Sequence, residues 1–266
     1  MILKVYEKIL NLIQLFYPIY LINKTSLIRR KIILDYLIIN NFNYINIFDC
    51  IYKISYNCNA RKHIIIINGG GLIADDCGDL VLSKLLLPYL NNYSIITIKY
   101  KLLNKYSNTV DEVINAIKII ENLNISIDMF ISDSIGSSLL LESLNYFGMK
   151  YKNKKLILIS PCVNFNLLEN NNKNKDIINY NFCKYIFDKY IDKNFVVNQK
   201  ILPKNLIIAS SNELFEYDIL EFYKTLNNSQ LFILHNCTHA DIIHYGLTNK
   251  NSVKQTLKII LNFILP

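Results

Sequence analysis

Several common functional signals are missing from this sequence of 266 residues. Its six cysteines include no Cys-x-x-Cys pair and no metal-type spacing with the four histidines, so we predict neither a metal site nor a structural zinc. Several cysteines lie inside apolar runs, where a free cysteine behaves as a small apolar side chain, and this favours a reducing compartment. Tryptophan is absent while Ile, Asn, Lys and Tyr are abundant, a bias typical of an AT-rich genome.

The sequence also lacks an apolar run long enough to span a membrane. Its most apolar segment, residues 1–22, is interrupted by Lys4, Glu7 and Lys8, and we expect Pro18 to kink it. The uninterrupted part is shorter than the roughly 20 residues of a spanning helix. No convincing small-residue cleavage site follows. A helix packed on the protein, a membrane-surface anchor and a signal anchor all remain open, and so does the localisation, cytoplasmic or at the endoplasmic-reticulum membrane.

The chain is basic, with a formal net charge of +8, but it carries no recognisable nucleic-acid motif. Its lysines are scattered instead of gathered on one periodic face, and no stacking or groove-reading pattern accompanies them. The hydrophobic content of 52% excludes a disordered chain. We therefore expect a folded protein with a basic, solvated exterior and no nucleic-acid partner.

Short apolar runs alternate with helically spaced segments from about residue 63 to the C-terminus. Continuous apolar runs of this length are typical of parallel strands buried on both faces. The strand candidates are residues 63–67, 94–99, 127–131, 155–160, 205–210 and 230–234. The segments between them place apolar residues on one helical stripe, as Val110, Val113 and Ile117 do. This alternation predicts a doubly wound α/β fold, with a mostly parallel sheet and helices on both faces.

Three segments stand outside this alternation. Residues 42–58 indicate two short strands, which would form an antiparallel edge hairpin. Residues 164–175 are rich in asparagine and predict a solvated loop, whereas residues 176–191 have helical spacing and predict part of a lid above the sheet. We therefore divide the chain into an N-terminal segment (1–60), serving as a cap or membrane-surface anchor with edge strands, and a core (61–266) with a candidate lid insertion (163–196).

A turn of small residues follows the strand candidate 127–131. It reads Ser132-Asp133-Ser134-Ile135-Gly136 and leads into a helical segment. This strand–turn–helix context is that of a nucleophile elbow, whose strained backbone leaves room only for very small residues two positions before and after the nucleophile. Ser134 is the candidate nucleophile, although Ser132 stands where the pattern G-x-S-x-G has glycine. On this motif alone, an ordinary turn is the alternative.

Three consecutive glycines, Gly69, Gly70 and Gly71, follow the first predicted parallel strand. Attack of a hydroxyl on a carbonyl creates an oxyanion, which needs N–H donors already in place in a dry site. Glycines let the backbone approach a ligand closely enough to provide them. Neither the phosphate-loop nor the dinucleotide motif is present. The run predicts an oxyanion loop, with a flexible glycine-rich loop as the alternative.

Histidine candidates for a general base cluster after the last predicted strand. His239 follows that strand by a short loop and can reach the carboxyl edge of the sheet, where the elbow also lies. His235 is closer to the strand end, and His244 lies deeper in the following segment. His63 starts a strand and would lie at the opposite edge. We therefore predict His239 as the base.

Carboxylate candidates follow the penultimate strand. Glu213 is the first of them, ahead of Glu216 and Asp218, and Asp218 is the alternative. Such an acid holds the imidazole in the right tautomer and stabilises the imidazolium that forms. The chain order serine, acid, histidine is that of α/β-hydrolases.

Taken together, the motifs resemble the hormone-sensitive-lipase-like branch of the α/β-hydrolases, which includes arylacetamide deacetylases and fungal steryl deacetylases. The resemblance runs from about residue 61 to 246. "NGGG" resembles the family's H-G-G-G, "SDSIGSS" its G-D-S-A-G-G, "LILISPCVNF" its L-x-L-x-S-P-W, and "SSNELFEYD" its acid loop E-Y-D-P-L-R-D-E. By this resemblance the nucleophile is Ser134, the base His239, the acid Glu213, and the oxyanion hole the N–H groups of Gly70, Gly71 and Ile135.

The resemblance implies a serine ester hydrolase that needs no cofactor. Its substrate would be a small-molecule ester with a short acyl group on an apolar alcohol, cleaved through an acyl-enzyme. An amidase or peptidase with the same triad and a non-catalytic ligand-binding protein are the alternatives. The N-terminal segment would form part of a small cap. Asn68, Ser132 and Glu213 depart from the family pattern.

Overall fold

The computed structural model of the protein describes residues 19–165, 175–193, 202–248 and 250–265. The strands are β1 (Asn43–Phe48), β2 (Ile51–Ser55), β3 (Lys62–Ile67), β4 (Tyr93–Ile98), β5 (Ile127–Asp133), β6 (Lys155–Ile159), β7 (Lys204–Ser210) and β8 (Ser229–Leu234). The helices are α1 (Ile19–Ile39), α2 (Gly78–Leu86), α3 (Tyr106–Asn122), α4 (Ser134–Phe147), α5 (Tyr180–Tyr190), α6 (Glu216–Lys224), α7 (Asp241–Tyr245) and α8 (Asn251–Ile264).

These strands form one sheet in the order β1-β2-β4-β3-β5-β6-β7-β8. β1 and β2 form an antiparallel hairpin at one edge, and β2 is antiparallel to β4. From β4 to β8 all neighbours are parallel. The predicted edge hairpin and the predicted doubly wound, mostly parallel sheet are therefore confirmed. Parallel strands end at the same edge, so the loops after β3, β5, β7 and β8 meet there.

The isoleucine run of β3 explains how the sheet is held between two helical layers. Ile64, Ile65, Ile66 and Ile67 are all fully buried. Successive side chains of a strand point to opposite faces. Ile65 and Ile67 therefore pack with apolar residues of α3 and α4, whereas Ile64 and Ile66 pack with those of α2 and α8. A continuous apolar strand is thus needed because both of its faces are covered.

Helix α1 packs on the second of these layers through Ile33 and Leu37, which are buried. Its outer side leaves Leu27, Ile28 and Ile32 exposed. Most of the predicted N-terminal amphipathic segment, residues 1–18, lies outside the described residues. No helix in the described part of the chain is long and apolar enough to cross a membrane.

Helix α5 lies within the segment predicted to be helical, between β6 and β7. The side chain of Asn179 caps it by accepting the N–H of Phe182 at 3.1 Å. Its buried face, which includes Phe182, Ile186 and Phe187, packs on the same apolar layer as α3 and α4. Most of the predicted asparagine-rich loop, residues 166–174, is outside the described residues. The role of residues 163–196 as a lid remains a prediction.

Candidate active site

The turn between β5 and α4 is as tight as the sequence predicts. β5 ends at Asp133 and α4 begins at Ser134, whose φ of +50° lies in the left-handed region that non-glycine residues rarely adopt. A Cβ on Gly136 would lie 2.4 Å from the carbonyl oxygens of Ile67 and Asn68. Only glycine therefore lets α4 approach the end of β3 this closely.

Ser132 fits where the elbow pattern has glycine. Its side chain is fully buried, and its hydroxyl donates to Ser137 Oγ at 3.1 Å. A buried hydroxyl without a partner would be costly, so this bond explains why serine is tolerated at the position. The departure from glycine leaves the elbow itself unchanged.

The structure brings Ser134, His239 and Glu213 into one hydrogen-bonded chain. Ser134 Oγ lies 2.8 Å from His239 Nε2, and His239 Nδ1 lies 2.9 Å from Glu213 Oε2. The other oxygen of Glu213 accepts the N–H of Ser210 at 2.6 Å, and the carboxylate is fully buried. The three side chains come from the ends of β5, β7 and β8, which lie at one edge of the sheet. This is the arrangement of a serine nucleophile, its base and the acid that orients the base.

The surroundings of His239 raise its pKa. Burial of the imidazole acts in the opposite direction and lowers the pKa, but the hydrogen bond and charge of Glu213 outweigh it, with a further contribution from Asp176. Phe215 covers the ring edge-on, with ring centroids 5.2 Å apart. The imidazole therefore lies in an apolar setting and interacts with negative charge on its Nδ1 side.

The other candidate side chains lie away from this chain of bonds. His235 is exposed, and His63 is the second residue of β3, at the opposite edge, where its Nδ1 lies 2.7 Å from Ser94 Oγ. His244 lines the pocket, and burial lowers its pKa well below the usual value. Asp218 lies on α6 and accepts an N–H bond from Asn164 at 2.8 Å. Among the described residues, no group of three His, Cys, Asp or Glu side chains could hold a metal ion.

The glycine loop after β3 reaches the same pocket as Ser134. Gly70 and Gly71 have φ values of +99° and +65°, and both line the pocket beside Ser134. Neither N–H has an intramolecular acceptor within the described residues. Ile135 is in the first turn of α4, where N–H groups lack helical partners. The structure thus brings the three predicted oxyanion donors to the candidate nucleophile.

Asn68, which stands where the resembled family has histidine, fixes the start of this loop. Its Nδ2 donates to Asp79 Oδ1 at 2.9 Å and to Asp75 Oδ1 at 3.2 Å, and its Oδ1 accepts the N–H of Asp79 at 2.9 Å. Arg30 and Lys99 both form ion pairs with these two carboxylates. Although burial acts against it, the charges of Lys99 and Arg30 hold the pKa of Asp79 far below its usual range. The loop is therefore anchored by a partly buried network of charges with the fully buried Asp79 at its centre.

Sequence patterns give no indication of this network. "RRK", residues 29–31, has the character of surface charge, yet Arg30 joins the ion pairs just described. Arg29 donates to the carbonyl oxygens of Asp76 at 2.9 Å and Ile243 at 2.5 Å. Of the three, only Lys31 is exposed. α1 is thus tied to the glycine loop and to α7, which are remote from it in sequence.

A pair of carboxyl groups joins the elbow to the same loop. Asp133 is fully buried and accepts the N–H of Gly69 at 3.2 Å. Burial raises the pKa of Asp133 well above its usual value, and the charge of the neighbouring Asp76 raises it further. A like charge nearby disfavours ionisation of a buried carboxyl group. Sequence analysis missed this pair because the elbow motif does not indicate a partner for Asp133 and Asp76 lies in no motif.

Ser134 and His239 face a small cavity of about 140 Å³ with a mainly apolar lining. Its walls come from α1, the glycine loop, the segment around α5 and the acid loop, and include Ile22, Ile73, Ile177, Phe182, Phe187 and Phe215. An apolar cavity of about 150 Å³ accepts a molecule the size of benzene. The cavity therefore has room for a short apolar group next to Ser134.

No protein-family model matches the sequence, and no curated protein matches it. Solved structures do match. A hormone-sensitive lipase from a metagenome library superposes with a TM-score of 0.67 at 20% identity, over 80% of this chain and 81% of that chain. A Pyrobaculum calidifontis esterase superposes with a TM-score of 0.73 at 14% identity, over 92% of this chain and 91% of that chain. An esterase from the bacterial hormone-sensitive lipase family superposes with a TM-score of 0.70 at 13% identity, over 85% of this chain and 86% of that chain. The chain therefore has the α/β-hydrolase fold, and its structural neighbours include members of the branch that its motifs resemble.

Proposed function

We propose that the protein is a serine ester hydrolase with Ser134, His239 and Glu213 as its catalytic triad. One observation carries the proposal: the unbroken chain of hydrogen bonds from the elbow serine through the imidazole to a buried carboxylate, at 2.8 and 2.9 Å. A serine hydroxyl is a weak nucleophile until an adjacent base accepts its proton. The raised pKa of His239 makes this imidazole a stronger base than an ordinary histidine.

In the first half-reaction, Ser134 Oγ attacks the carbonyl carbon of the ester while His239 Nε2 takes the hydroxyl proton. Glu213 keeps the other ring proton on Nδ1 and stabilises the imidazolium. The tetrahedral intermediate then collapses, the bond to the alcohol oxygen breaks, and His239 returns the proton to the leaving alcohol. The product that remains is an acyl-enzyme on Ser134.

In the second half-reaction, water replaces the alcohol. His239 takes a proton from water as the oxygen attacks the acyl carbon, and the resulting tetrahedral intermediate expels Ser134 Oγ, which regains the proton from His239. A carboxylic acid leaves. In both halves the oxyanion would accept hydrogen bonds from the N–H groups of Gly70, Gly71 and Ile135. Such donors are worth about 10²–10³-fold in rate each.

The cavity supports the substrate class that the family resemblance implies. An apolar space of about 140 Å³ beside Ser134 suits a short acyl group of about two to six carbons, with the alcohol directed outwards. The apolar side chains of Phe182 and Phe187 on α5 would cover such a substrate from above. This supports short acyl esters of apolar alcohols as substrates, in line with a deacetylase-like activity.

A panel of p-nitrophenyl esters of increasing acyl length tests this function, with Ser134→Ala as the control. We expect hydrolysis by the wild type to be fastest for short acyl groups and to be lost in the variant. Rates that rise toward long acyl groups would contradict the substrate class. A matched anilide measures amide cleavage; faster turnover of the anilide would make the protein an amidase. No turnover of any substrate would contradict the hydrolase function and favour the non-catalytic alternative.

We also propose that α1 rests on a membrane surface and brings the pocket to apolar substrates there. The exposed side chains of Leu27, Ile28 and Ile32 are apolar, and the exposed lysines Lys24 and Lys31 lie among them. Apolar side chains combined with lysines suit an anionic lipid surface. The inner side of α1 lines the pocket. Flotation with anionic liposomes should be reduced by removing residues 1–22 and by Ile28→Glu; unchanged flotation of both variants would contradict the proposal.

A further inference from the structure

Asp176 lies just before α5 and makes contacts with both loops of the proposed triad. Its Oδ1 accepts the N–H of His239 at 2.9 Å and that of Ile177 at 2.7 Å. Its Oδ2 accepts the N–H of Leu214, the residue after Glu213, at 2.7 Å. One carboxylate thus bonds to the backbone of the base itself, of the acid loop and of the segment leading to α5.

This carboxylate is suited to hold three chain segments together. Burial raises the pKa of Asp176, while His239 and the backbone N–H bonds act in the opposite direction. Each oxygen of Asp176 accepts at least one N–H bond, so the ionised carboxylate can make all of these hydrogen bonds. Hydrogen bonds to a charged, buried acceptor are stronger than those between neutral groups. A neutral amide at this position could not accept all of these N–H bonds.

The carboxylate also adds charge beside the imidazole. The titratable groups around His239 are Glu213 on the acid loop, Asp176 before α5, Asp76 on the glycine loop and His244 on α7. Of the carboxylates, Glu213 bonds to the imidazole directly and Asp176 bonds to the backbone of the same residue. Asp176 is therefore close enough to act on the ring through space while it holds the loop by a hydrogen bond.

We propose that Asp176 is a positioning residue of the triad, which fixes the loops of Glu213 and His239 relative to each other and adds negative charge next to the imidazole. The idea rests on the proposed function. Asp176 is followed by Ile177, which lines the pocket, and by α5, whose Phe187 does the same. Asp176 thus connects the geometry of the triad with the position of this pocket wall.

The acid and base loops have other connections, so removal of the charge should leave the fold intact. Asn212 donates its N–H to the carbonyl of Cys237 at 3.0 Å, and Asn236 donates its N–H to Ser211 Oγ at 2.9 Å. These bonds join the same two loops without Asp176. We therefore expect Asp176→Asn to fold, with the base loop less well fixed.

The test compares Asp176→Asn and the smaller Asp176→Ser with a matched control, Asp192→Asn. Like Asp176, Asp192 lies in the segment 175–193. It accepts hydrogen bonds from Ser107 N at 3.0 Å and from Ser107 Oγ at 2.5 Å, and Ser107 is not part of the triad. Circular dichroism checks folding. NMR titration of histidine-labelled protein then gives the pKa of His239, and ester hydrolysis gives kcat/KM against pH.

We expect the pKa of His239 to fall in both Asp176 variants and to stay unchanged in Asp192→Asn. In the Asp176 variants kcat/KM should fall by up to about 100-fold, as expected when a catalytic group is displaced. The acid limb of the profile of kcat/KM against pH should move to lower pH. A pKa of His239 equal to that of the wild type in a folded Asp176 variant would overturn the proposal. If the wild type hydrolyses no ester, the proposed function fails, but the NMR titration still decides the role of Asp176.

Discussion

The ring of Phe215 lies edge-on against the imidazole of His239, at a centroid distance of 5.2 Å, and stacks on Phe187 of α5 at 6.3 Å. Phe215 of the acid loop, with Phe187 of the pocket wall behind it, thus screens the imidazole of the proposed base from solvent. A hydrogen bond in such an apolar setting is stronger than one in water. We therefore expect activity to depend most on the hydrogen bonds from His239 to Ser134 and Glu213.

Replacement of the proposed base should abolish activity. We expect His239→Ala to lower kcat by about 10⁴- to 10⁶-fold, because Ser134 then has no group to take its proton. His235→Ala is the matched control: this side chain is exposed and follows the same strand, so its loss should leave turnover unchanged. His244→Ala should keep most activity, since it leaves the bonds of His239 in place. Steady-state hydrolysis of a short ester measures all three. Equal loss in His235→Ala would mean that the base is assigned to the wrong histidine.

Neutralising the proposed acid should have an intermediate effect. In Glu213→Gln an amide faces His239 Nδ1, so the tautomer and the imidazolium lose their stabilising carboxylate, and we expect kcat to fall by about 10²–10⁴-fold. Asp218→Asn is the comparison, because Asp218 bonds to Asn164 and not to the imidazole. Its activity should match the wild type. A larger loss in Asp218→Asn than in Glu213→Gln would refute the assignment of the acid.

Gly70 and Gly71 of the proposed oxyanion loop should respond differently to alanine. A Cβ on Gly70 would lie 1.9 Å from the carbonyl oxygen of Ala74, so Gly70→Ala must displace the loop and should cost at least about tenfold in kcat. The nearest atom to a Cβ on Gly71 is 3.8 Å away, on Ile73. Gly71→Ala then carries only the left-handed backbone cost of about 1–2 kcal/mol and keeps its N–H. A kcat of Gly70→Ala equal to that of the wild type would argue against a catalytic role for this loop.

Hydrolysis should increase with pH through the pKa of His239. Only the neutral imidazole can accept the serine proton, so kcat/KM follows its deprotonation. Because the folded environment raises this pKa above 6.5, the midpoint of the acid limb should lie above 6.5. In Glu213→Gln the raising contributions of the carboxylate are lost while burial remains, so the midpoint should move to lower pH. A midpoint that is the same in both proteins would show that another group controls the profile.

Much of the fold was accessible from the sequence because its signals are local. The isoleucine run of β3 and the glycine at position 136 each follow from constraints within a few residues: burial on both faces of a strand, and close approach of α4 to β3. The order of the elbow, acid loop and histidine loop along the chain predicts which side chains meet, since parallel strands end at one edge. Ser134, Glu213 and His239 therefore could be named in advance.

The side chains that fix the site in place could not be predicted in the same way. Asp176 bonds to Leu214 and His239, which are 38 and 63 residues away in sequence. Arg30 reaches Asp79 over 49 residues from a stretch with the composition of a solvated surface. No periodicity or motif connects such partners, because their contact depends on how separate elements pack. Local patterns thus identify the side chains of the proposed triad better than the side chains that hold them in place.

The most direct measurement of the central claim is labelling of the purified protein by a fluorophosphonate, followed by mass spectrometry of its peptides. The reagent phosphonylates a serine whose hydroxyl is activated by an adjacent base within an oxyanion hole. We predict one adduct, on Ser134, with none in Ser134→Ala and strongly slowed labelling in His239→Ala. A wild type that remains unlabelled, or that is labelled at another serine, would contradict the account.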